Sequence, residues 1–377
     1  MTEDKATRYH RLKRRSEVAG LLWSAVCFSA LLLTGAAKLL ADAATTLTGG
    51  SVPLAVPLMV LGLSLAHELG ALPLAWFGTY RLERRYGLSH QAVGGWLVDH
   101  LKATGIGLLL VAGAALIIYL CMHWFPASWW LVAGVTLAVV VTGLATLAPV
   151  VLLPLFFRFT PLARPSLVER LEQLAGRAGT SVIGVYEWTL GDKSRRANAA
   201  LTGLGTTRRI LVSDTMLADY SDDEIEVVLA HELGHHVHHD IWRGIAVESA
   251  LILLGFAVTD VVLRWVGPSL GVTSPADLAG MPLLVLTAGT VSLGLTPAAL
   301  ALSRRHERRA DRFALQLTAN PSAFISAMRR LGAQNLAEER PSRLVQWLFH
   351  SHPPLEERLA LARAWPANSS TTETQSH

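Results

Sequence analysis

The stretch AHELGHH, residues 230–236, lies within the longer run SDDEIEVVLAHELGHHVHHD at 221–240 and places His231 and His235 four positions apart. On an α-helix, positions four apart lie on one face, about one turn from each other. Two imidazoles with this spacing can bind a single zinc ion, and Glu232, next to the first of them, can accept a proton from a water bound there. The spacing therefore predicts a metal site on a helix.

The same run carries the signals of a helix start. Ser221 followed three residues later by Glu224 fits a capping box, and the run contains no proline and one glycine. The arrangement is the HExxH pattern of zinc peptidases, and we interpret it as zinc catalysis. The alternative is a solvated, histidine-rich helix end with adventitious metal affinity. The neighbouring His236, His238 and His239 are expected to be solvated or packing residues.

A second copy of LAHELG occurs at residues 65–70, inside an apolar stretch. Here His67 has no partner four positions later, because residue 71 is alanine. Ionisable side chains in an apolar span are costly, so His67 and Glu68 are expected to face other helices or a wet cavity. We predict structural pairing for this copy and chemistry for the second.

The composition is that of a membrane protein. Of the 377 residues, 51% are hydrophobic and 16% are charged, against roughly 25% charged in an average soluble domain. The mean hydropathy is +0.37. The cysteines, Cys27 and Cys121, both lie in apolar runs, which excludes a disulfide framework and a cysteine-bound zinc. The basic residues flank apolar segments and follow no aromatic-studded face, so no nucleic-acid partner is expected.

Six apolar stretches are long enough to cross the ~30 Å hydrocarbon core of a lipid bilayer. They cover residues 18–37, 52–77, 103–122, 129–157, 244–263 and 278–302. The connections between them alternate between many and few basic residues, which predicts an integral membrane protein with cytoplasmic termini. Arginine greatly outnumbers lysine and alanine is abundant, which hints at a GC-rich bacterial genome and hence at a bacterial plasma membrane. A cleaved signal peptide at the N-terminus is the alternative, but its apolar run is longer than such peptides use.

These spans divide the chain into five regions. Residues 1–157 form an N-terminal transmembrane region with four spans, and residues 244–302 hold two more. Residues 158–243 and 303–367 are expected to form one cytoplasmic catalytic body. Within the first of these, SVIGVYEWT and RRILVS are predicted strands. The polar residues 368–377 are predicted to be a disordered tail.

Two imidazoles and a water leave a catalytic zinc one protein ligand short. Glu307 is the best candidate, because SRRHERRADRFALQL is predicted to be a helix that leaves the sixth span on the same side as His231. Asp311, one turn further along, could orient a ligand imidazole. A solvated helix of charged pairs explains the same residues equally well.

Several segments resemble the type I CAAX prenyl endopeptidases, which are membrane-integral zinc metalloproteases of the gluzincin type. The matching segments are AHELGHH at 230–236, SRRHERRAD at 303–311, SHPPLEERL at 351–359, PLFFRFTPL at 154–162, RANAALTGLGTTRRILVSDTML at 196–217 and RLERRYGL at 81–88. They occur in the family's order and span most of the chain, so they are more specific than HExxH alone.

The resemblance implies roles for further residues. Glu307 becomes the third zinc ligand and Asp311 its support, while His352 steadies the tetrahedral intermediate and Arg358 helps to hold the site. Asn198 and Ala199 match a strand edge that pairs with an extended substrate. His306 replaces an aromatic residue of the family. The implied fold is mainly α-helical, with a small β-sheet in the protease body and a ring of helices around a chamber.

Family members commonly have seven spans, so either one is absent here or the 129–157 run contains two. The expected function is hydrolysis of peptide bonds with one Zn²⁺ per chain and Glu232 as general base. The expected partners are the lipid bilayer and a peptide or membrane-protein substrate, and a general membrane protease is favoured over maturation of prenylated proteins. The alternatives are an intramembrane-cleaving metalloprotease and a non-proteolytic transporter or scaffold with a degenerate zinc site.

Overall fold

A computed structural model describes residues 5–151, 153–190, 196–203, 208–338 and 341–366, with side chains described outside 148–154. The predicted tail at 368–377 lies outside these residues. The N-terminal half of the described chain is helical. Its elements are α1 (Lys5–Leu33), α2 (Ala36–Leu47), α3 (Val52–Ala75) with a π-helical extension (Trp76–Arg81), α4 (Leu82–Arg85), α5 (Val93–Trp124), α6 (Trp129–Val151) and α7 (Leu153–Phe156).

A mixed segment follows and ends in the HExxH helix. It contains β1 (Phe159–Pro161), α8 (Pro165–Arg177), β2 (Val185–Trp188), β3 (Ala199–Thr202), β4 (Arg209–Ser213), α9 (Asp214–Asp219) and α10 (Asp222–Val237). The rest of the chain is again helical. It consists of α11 (Asp240–Trp265), two 3₁₀ turns (Gly267–Leu270 and Leu278–Gly280), α12 (Met281–Thr318), α13 (Pro321–Gln334), α14 (Arg343–Phe349) and α15 (Leu355–Arg363).

Six helical segments are long and apolar enough to cross a membrane, as the sequence predicts. They are Lys5–Leu33, Val52–Arg85, Val93–Trp124, Trp129–Leu147, Asp240–Trp265 and Leu278–Thr318. Most extend beyond the predicted spans, because a helix continues into polar residues once its apolar part has crossed the bilayer. The fourth predicted span, 129–157, contains one long helix, so it does not hide a seventh crossing.

The six spans form a closed ring. Neighbours in contact are α1 with α3, α3 with α5, α5 with α6, α6 with α11, α11 with α12, and α12 with α1. Among the described residues, helices on opposite sides of the ring share no extensive contact. A central space follows, in agreement with the expected chamber. Glu248 lines a cavity of about 410 Å³ that it shares with Ile118 of α5 and Ser292 of α12, which can meet only across the ring interior.

Other polar groups in the spans are paired. The Trp129 indole donates to Asp260 Oδ1 at 2.5 Å, and Arg264 Nε donates to the same carboxylate at 2.9 Å. A carboxylate at this depth is costly unless it is paired or wet, so this pairing accounts for Asp260 as a structural residue.

The β-sheet is small and has the order β1-β2-β4-β3. Strands β2 and β4, which the sequence predicts, run parallel, whereas β1 and β3 join as antiparallel edge strands. Helix α10 packs against β3 and against α12, and the core of the body lies between the sheet and the surrounding helices. Large buried side chains from four elements fill this core, among them Leu167, Leu171, Ile210, Ile225 and Phe324.

Ion pairs fix the membrane helices to the protease body. Tyr9 of α1 donates to Glu83 Oε1 at 2.5 Å, and Arg196, three residues before β3, donates to Glu83 Oε2 at 2.9 Å. On the other side of the cleft, Arg14 of α1 donates to Glu338 at 2.7 Å. The start of α1 therefore holds both walls of the cleft in which the candidate site lies.

Candidate metal centre

Helix α10 begins where the sequence predicts. The Ser221 amide donates to Glu224 Oε2 at 2.8 Å, and the Ser221 hydroxyl accepts from the Glu224 amide at 3.3 Å, so the predicted capping box is confirmed. Ser326 of α13 also donates to Glu224, at 2.6 Å. The cap thus fixes both the start of α10 and its position in the body, and an uninterrupted helix carries His231 and His235 on one face.

Helix α12 brings Glu307 to this face. It is a single helix of 38 residues, about 57 Å long, which runs from the membrane into the body. It approaches α10 closely at Gly234, where a Cβ atom would lie 3.0 Å from the Cα of Ala310. A larger residue at 234 would push the two helices apart, so this glycine permits the approach that places Glu307 beside the histidines.

The three side chains converge. His231 Nε2 and His235 Nε2 lie 3.2 Å apart, and the Glu307 oxygens lie 3.3 Å and 3.4 Å from them. One ligand atom from each residue lies within 4.8 Å of the others. His231 and Glu307 are buried, and His235 is half-buried. Two imidazole nitrogens and a carboxylate oxygen are the donor set of a catalytic zinc site.

The donor atoms fit a cation. Glu307 Oε2 is buried and accepts no hydrogen bond of acceptable geometry from the residues that the structure describes. Both histidines meet carboxylates through Nδ1, which leaves their Nε2 atoms as the inward-facing donors. A metal ion would satisfy all three groups at once.

Asp311 lies beside His231. Its Oδ1 lies 2.9 Å from His231 Nδ1, and Arg358 of α15 donates to both of its oxygens, at 2.5 Å and 2.8 Å. The Arg358 guanidinium also lies 3.4 Å from His231 Nδ1. Asp311 is 1% exposed, so this carboxylate is fully enclosed between the imidazole and the guanidinium.

Asp240 lies beside His235 in the same way that Asp311 lies beside His231. This contact was not predicted from the sequence. Asp240 Oδ2 lies 3.0 Å from His235 Nδ1, while Arg309 of α12 binds Oδ1 and His306 Nε2 lies 3.7 Å from it. A histidine ligand usually donates its second ring N–H to a carboxylate, and the sequence provides an acid five residues after His235. That general requirement is the signal that could have identified Asp240.

Glu232 and His352 face the same centre. Glu232 lines two cavities that meet at the metal group, and His352 Nδ1 lies 2.7 Å from Glu307 Oε2. The His352 side chain is 61% exposed, whereas His231 and Glu307 are buried.

The charges around the site favour a metal ion at the histidines and a proton-accepting role for Glu232. Burial alone would lower the pKa of His231, but the neighbouring carboxylates of Asp311 and Glu307 outweigh it and raise that pKa to about 9 in the metal-free chain. Burial also raises the pKa of the Glu232 carboxyl, although both histidines oppose the shift. A carboxyl with a raised pKa is well matched to accepting and returning a proton near neutral pH.

The predicted substrate edge lies beside the metal group. Ala199 begins β3, whose inner edge pairs with β4, and Asn198 exchanges hydrogen bonds with Ser213 at 2.9 Å. The other edge of β3 borders a cavity of about 500 Å³ that contains Asn198, Ala199, His231 and Glu232. The strand AALT lacks the aromatic residues and regular alternation that predict strands, so the sequence pattern alone did not indicate it.

The first LAHELG copy is paired within the membrane region. His67 Nε2 lies 2.8 Å from Ser24 Oγ, and Glu68 Oε1 lies 2.9 Å from His100 Nε2. Gly70 packs on Trp23 of α1, where a Cβ would lie 2.3 Å from the indole. In both copies the glycine allows close helix contact, whereas only the second copy has a partner histidine and carboxylate for a metal.

The remaining histidines near the site are not among the three converging ligands. His238 Nδ1 lies 2.7 Å from the Gly234 carbonyl oxygen and its ring packs edge-on against Phe313. His239 adopts a left-handed conformation between α10 and α11 and is exposed. Packing and solvation are the roles expected for both.

Comparison with known proteins identifies the family. Residues 161–366 match the family model of peptidase family M48, and residues 2–158 match that of the CAAX prenyl protease N-terminal region, described as five membrane helices. The described residues of that region contain four helices long enough to span, together with α2, which has 12 residues and a length of about 18 Å.

Similar proteins and a solved structure support the same family assignment. The uncharacterized metalloprotease YhfN of Bacillus subtilis is 31% identical over 304 residues, which cover 80% of this chain and 71% of YhfN. CAAX prenyl protease 1 of Saccharomyces cerevisiae is 29% identical over 319 residues, covering 79% of this chain and 69% of that protein. The crystal structure of S. mikatae Ste24p shares the fold, with a TM-score of 0.83 and 24% identity over 96% of this chain and 88% of Ste24p. The chain therefore belongs to peptidase family M48, in the group that carries the CAAX prenyl protease membrane region, and is an integral membrane metalloprotease.

Proposed function

We propose that this chain is a zinc endopeptidase that hydrolyses peptide bonds of membrane-associated proteins, with Glu232 as general base. The observation that carries the proposal is the convergence of His231, His235 and Glu307, with Glu232 next to the first ligand on the same helix. Two imidazoles and one carboxylate leave a fourth position for water or substrate.

His231, His235 and Glu307 would hold the zinc, one ion per chain. When bound, the ion supplies a Lewis acid that lowers the pKa of water and polarises the substrate carbonyl group. Asp311 and Asp240 would orient the two imidazoles through their Nδ1 atoms, so that both Nε2 lone pairs face the ion.

Glu232 would move the proton. Its carboxylate accepts a proton from the water that attacks the scissile carbonyl carbon, and then delivers it to the nitrogen of the leaving amine. His352 would donate a hydrogen bond to the carbonyl oxygen as negative charge develops on it. Arg358 would act indirectly, since it holds Asp311 and through it His231.

The substrate would add a strand to the sheet. The free edge of β3 at Asn198 and Ala199 borders the cleft, and backbone hydrogen bonds along such an edge bind an extended peptide independently of its side chains. Specificity would then come from the cavities on either side of Glu232.

The positions of the basic residues favour a cytoplasmic active site. The similarity to a protein of Bacillus subtilis supports a bacterial plasma membrane as its location. Bacteria are not expected to contain prenylated CAAX proteins, and we therefore favour membrane proteins in general over prenylated substrates. Intramembrane cleavage by a site within the bilayer is disfavoured, since α10 begins with three acidic residues. A non-proteolytic transporter or scaffold is disfavoured because no ligand position is lost.

The experiment compares variants of Glu232 and Glu68, the glutamates of the two LAHELG copies in the chain. Purified Glu232→Gln should retain about one zinc per chain and lose peptide hydrolysis by at least about 10³-fold. Glu68→Gln, in the first LAHELG copy, should retain both zinc and hydrolysis within about threefold. Undiminished cleavage by Glu232→Gln, or absence of zinc from the wild-type protein, would overturn the proposal.

A further inference from the structure

The cleft continues past Glu232 into a second cavity of about 420 Å³. Glu232 and His235 line it from the side of the metal centre, and Leu201 and Gly203 line it from the end of β3. The first cavity borders the start of the same strand, at Asn198 and Ala199. A peptide that lies along the β3 edge would therefore pass from one cavity to the other, with the scissile bond at Glu232 between them.

Positive charge without a counter-ion distinguishes the second cavity. Arg208 lines it and forms no ion pair within the described residues, and its Nε atom is buried without an acceptor. The His236 imidazole also lines it and has no hydrogen-bond partner among those residues. Glu232 is the one acid among the lining residues that the structure describes.

The positive charge of this cavity comes from the Arg208 guanidinium, whose planar fork of N–H groups suits an oxygen ligand. The His236 imidazole lines the same cavity and offers a ring nitrogen to the same ligand.

The first cavity differs in charge. Its arginine, Arg358, is bound to Asp311, and Glu338, which lines it together with Glu232 and Glu307, is bound to Arg14. Neither group is available to a ligand in the way that Arg208 is. The two sides of the scissile bond should therefore select different substrate residues.

We propose that Arg208, assisted by His236, binds a carboxylate of the peptide substrate on the Gly203 side of the scissile bond. The inference rests on the proposed peptidase function and adds a substrate preference to it. A guanidinium can donate two parallel hydrogen bonds to a carboxylate, and such charge-assisted bonds are stronger in a half-enclosed cavity than in water. The carboxylate can be an acidic side chain or the C-terminus of the peptide.

The test uses the zinc-loaded full-length protein and quenched fluorescent peptides of one parent sequence. A single Glu is moved through three positions on each side of the cleaved bond, with a matching Gln peptide at each position. At one position, on one side of the bond, we expect Glu to exceed Gln about tenfold in kcat/KM. A preference confined to the last residue and removed by C-terminal amidation would also support the proposal and would identify the terminal carboxylate as the ligand.

Variants separate the role of Arg208 from general charge effects. Arg208→Gln should reduce the Glu preference to less than about twofold and change cleavage of the Gln peptides by less than about threefold. Arg208→Glu should reverse the preference in favour of a Lys peptide. Arg209→Gln is the matched control, because the neighbouring Arg209 guanidinium lies over the Tyr186 ring and not in the cavity. That variant should keep the wild-type preference.

Two results would overturn the inference. One is equal cleavage of Glu and Gln peptides by the wild-type protein at every position. The other is an equal loss for both kinds of peptide in Arg208→Gln. These outcomes differ from a failure of the proposed function, in which the zinc-loaded wild-type protein would cleave none of the peptides.

Discussion

Gly234 on α10 and Ala310 on α12 lie so close that a Cβ at position 234 would stand 3.0 Å from the Ala310 Cα and 3.3 Å from its Cβ. The contact joins the helix that carries His231 and His235 to the helix that carries Glu307. Because the neighbouring atoms are the Cα and Cβ of Ala310 and the Cβ of Phe313, which are fixed to the helix backbone, they cannot move aside without moving the helix. The metal centre therefore depends on this glycine as well as on its ligands.

Gly234→Ala should separate the two helices by a few tenths of an ångström or more. We expect a loss of about 1–3 kcal/mol in the free energy of unfolding and a fall in zinc affinity, measured by chelator competition. Gly176→Ala on α8 is the control, since its Cβ would meet no atom within 4 Å. Equal zinc affinity in wild type and Gly234→Ala would show that the ligand geometry tolerates the wider spacing.

Asp240→Asn should weaken zinc binding by about 10- to 100-fold, because the second ring nitrogen of His235 would lose its carboxylate partner. Asp311→Asn should have an effect of similar size through His231. Zinc dissociation constants of the purified variants test this directly and do not depend on a substrate. An Asp240→Asn protein with wild-type zinc affinity would reduce Asp240 to a link between α11 and Arg309.

Zinc binding should release protons. The pKa of His231 is raised to about 9 in the metal-free chain, against an ordinary value of 6.5. The protonated imidazole therefore stabilises the metal-free fold, fully below about 6.5, and this contribution is lost as the pH rises through about 9. A zinc ligand must be a neutral imidazole, so zinc affinity should rise with pH across the same window.

Titration calorimetry at pH 7.5 measures this release, using two buffers with different ionisation enthalpies. We expect the apparent binding enthalpy to differ between the buffers by an amount that corresponds to about one proton or more per zinc ion. Identical enthalpies in the two buffers would contradict protonation of the metal-free site.

Glu224 should make stability depend on pH in the acid range. Burial alone would raise its pKa, but hydrogen bonds from Ser326 and the Ser221 amide outweigh it and hold the pKa below its ordinary value. The carboxylate thus stabilises the fold above about pH 4.5, and that stability is lost as the pH falls through the folded-state pKa. Glu224→Gln should cost about 1–2 kcal/mol at pH 7 and progressively less on acidification.

Thermal unfolding of the detergent-solubilised variant at pH 7 and pH 4 measures this difference. Glu172→Gln, an exposed position on α8, is the control and should change the unfolding temperature little at either pH. If Glu224→Gln lowers the unfolding temperature as much at pH 4 as at pH 7, the Glu224 side chain stabilises the fold by packing and not by its charge.

Local pattern in the sequence predicted the parts of the site that one helix determines. The spacing of His231 and His235 and the cap at Ser221 depend only on residues near in sequence, and both form as predicted. Glu307 lies on a different helix, and its own neighbourhood suits a solvated charged surface equally well. The family resemblance selected it, since no short-range rule can bring together residues separated by two membrane crossings.

Two features escaped prediction for physical reasons. Strand β3 is held by its pairing with β4 and by contact with α10, and its sequence AALT carries little strand preference of its own. Asp240 follows His235 across a turn in which His239 adopts a left-handed conformation. That turn, which the sequence did not reveal, directs the Asp240 carboxylate back toward His235. In each case tertiary packing decides the outcome.

The most direct measurement of the central claim is an X-ray anomalous difference map of the zinc-loaded protein, recorded on both sides of the zinc absorption edge. We expect one zinc peak per chain, with His231 Nε2, His235 Nε2 and one Glu307 oxygen each about 2.0–2.2 Å from it. A map without a peak at these three atoms, or with the zinc bound by other residues, would contradict it.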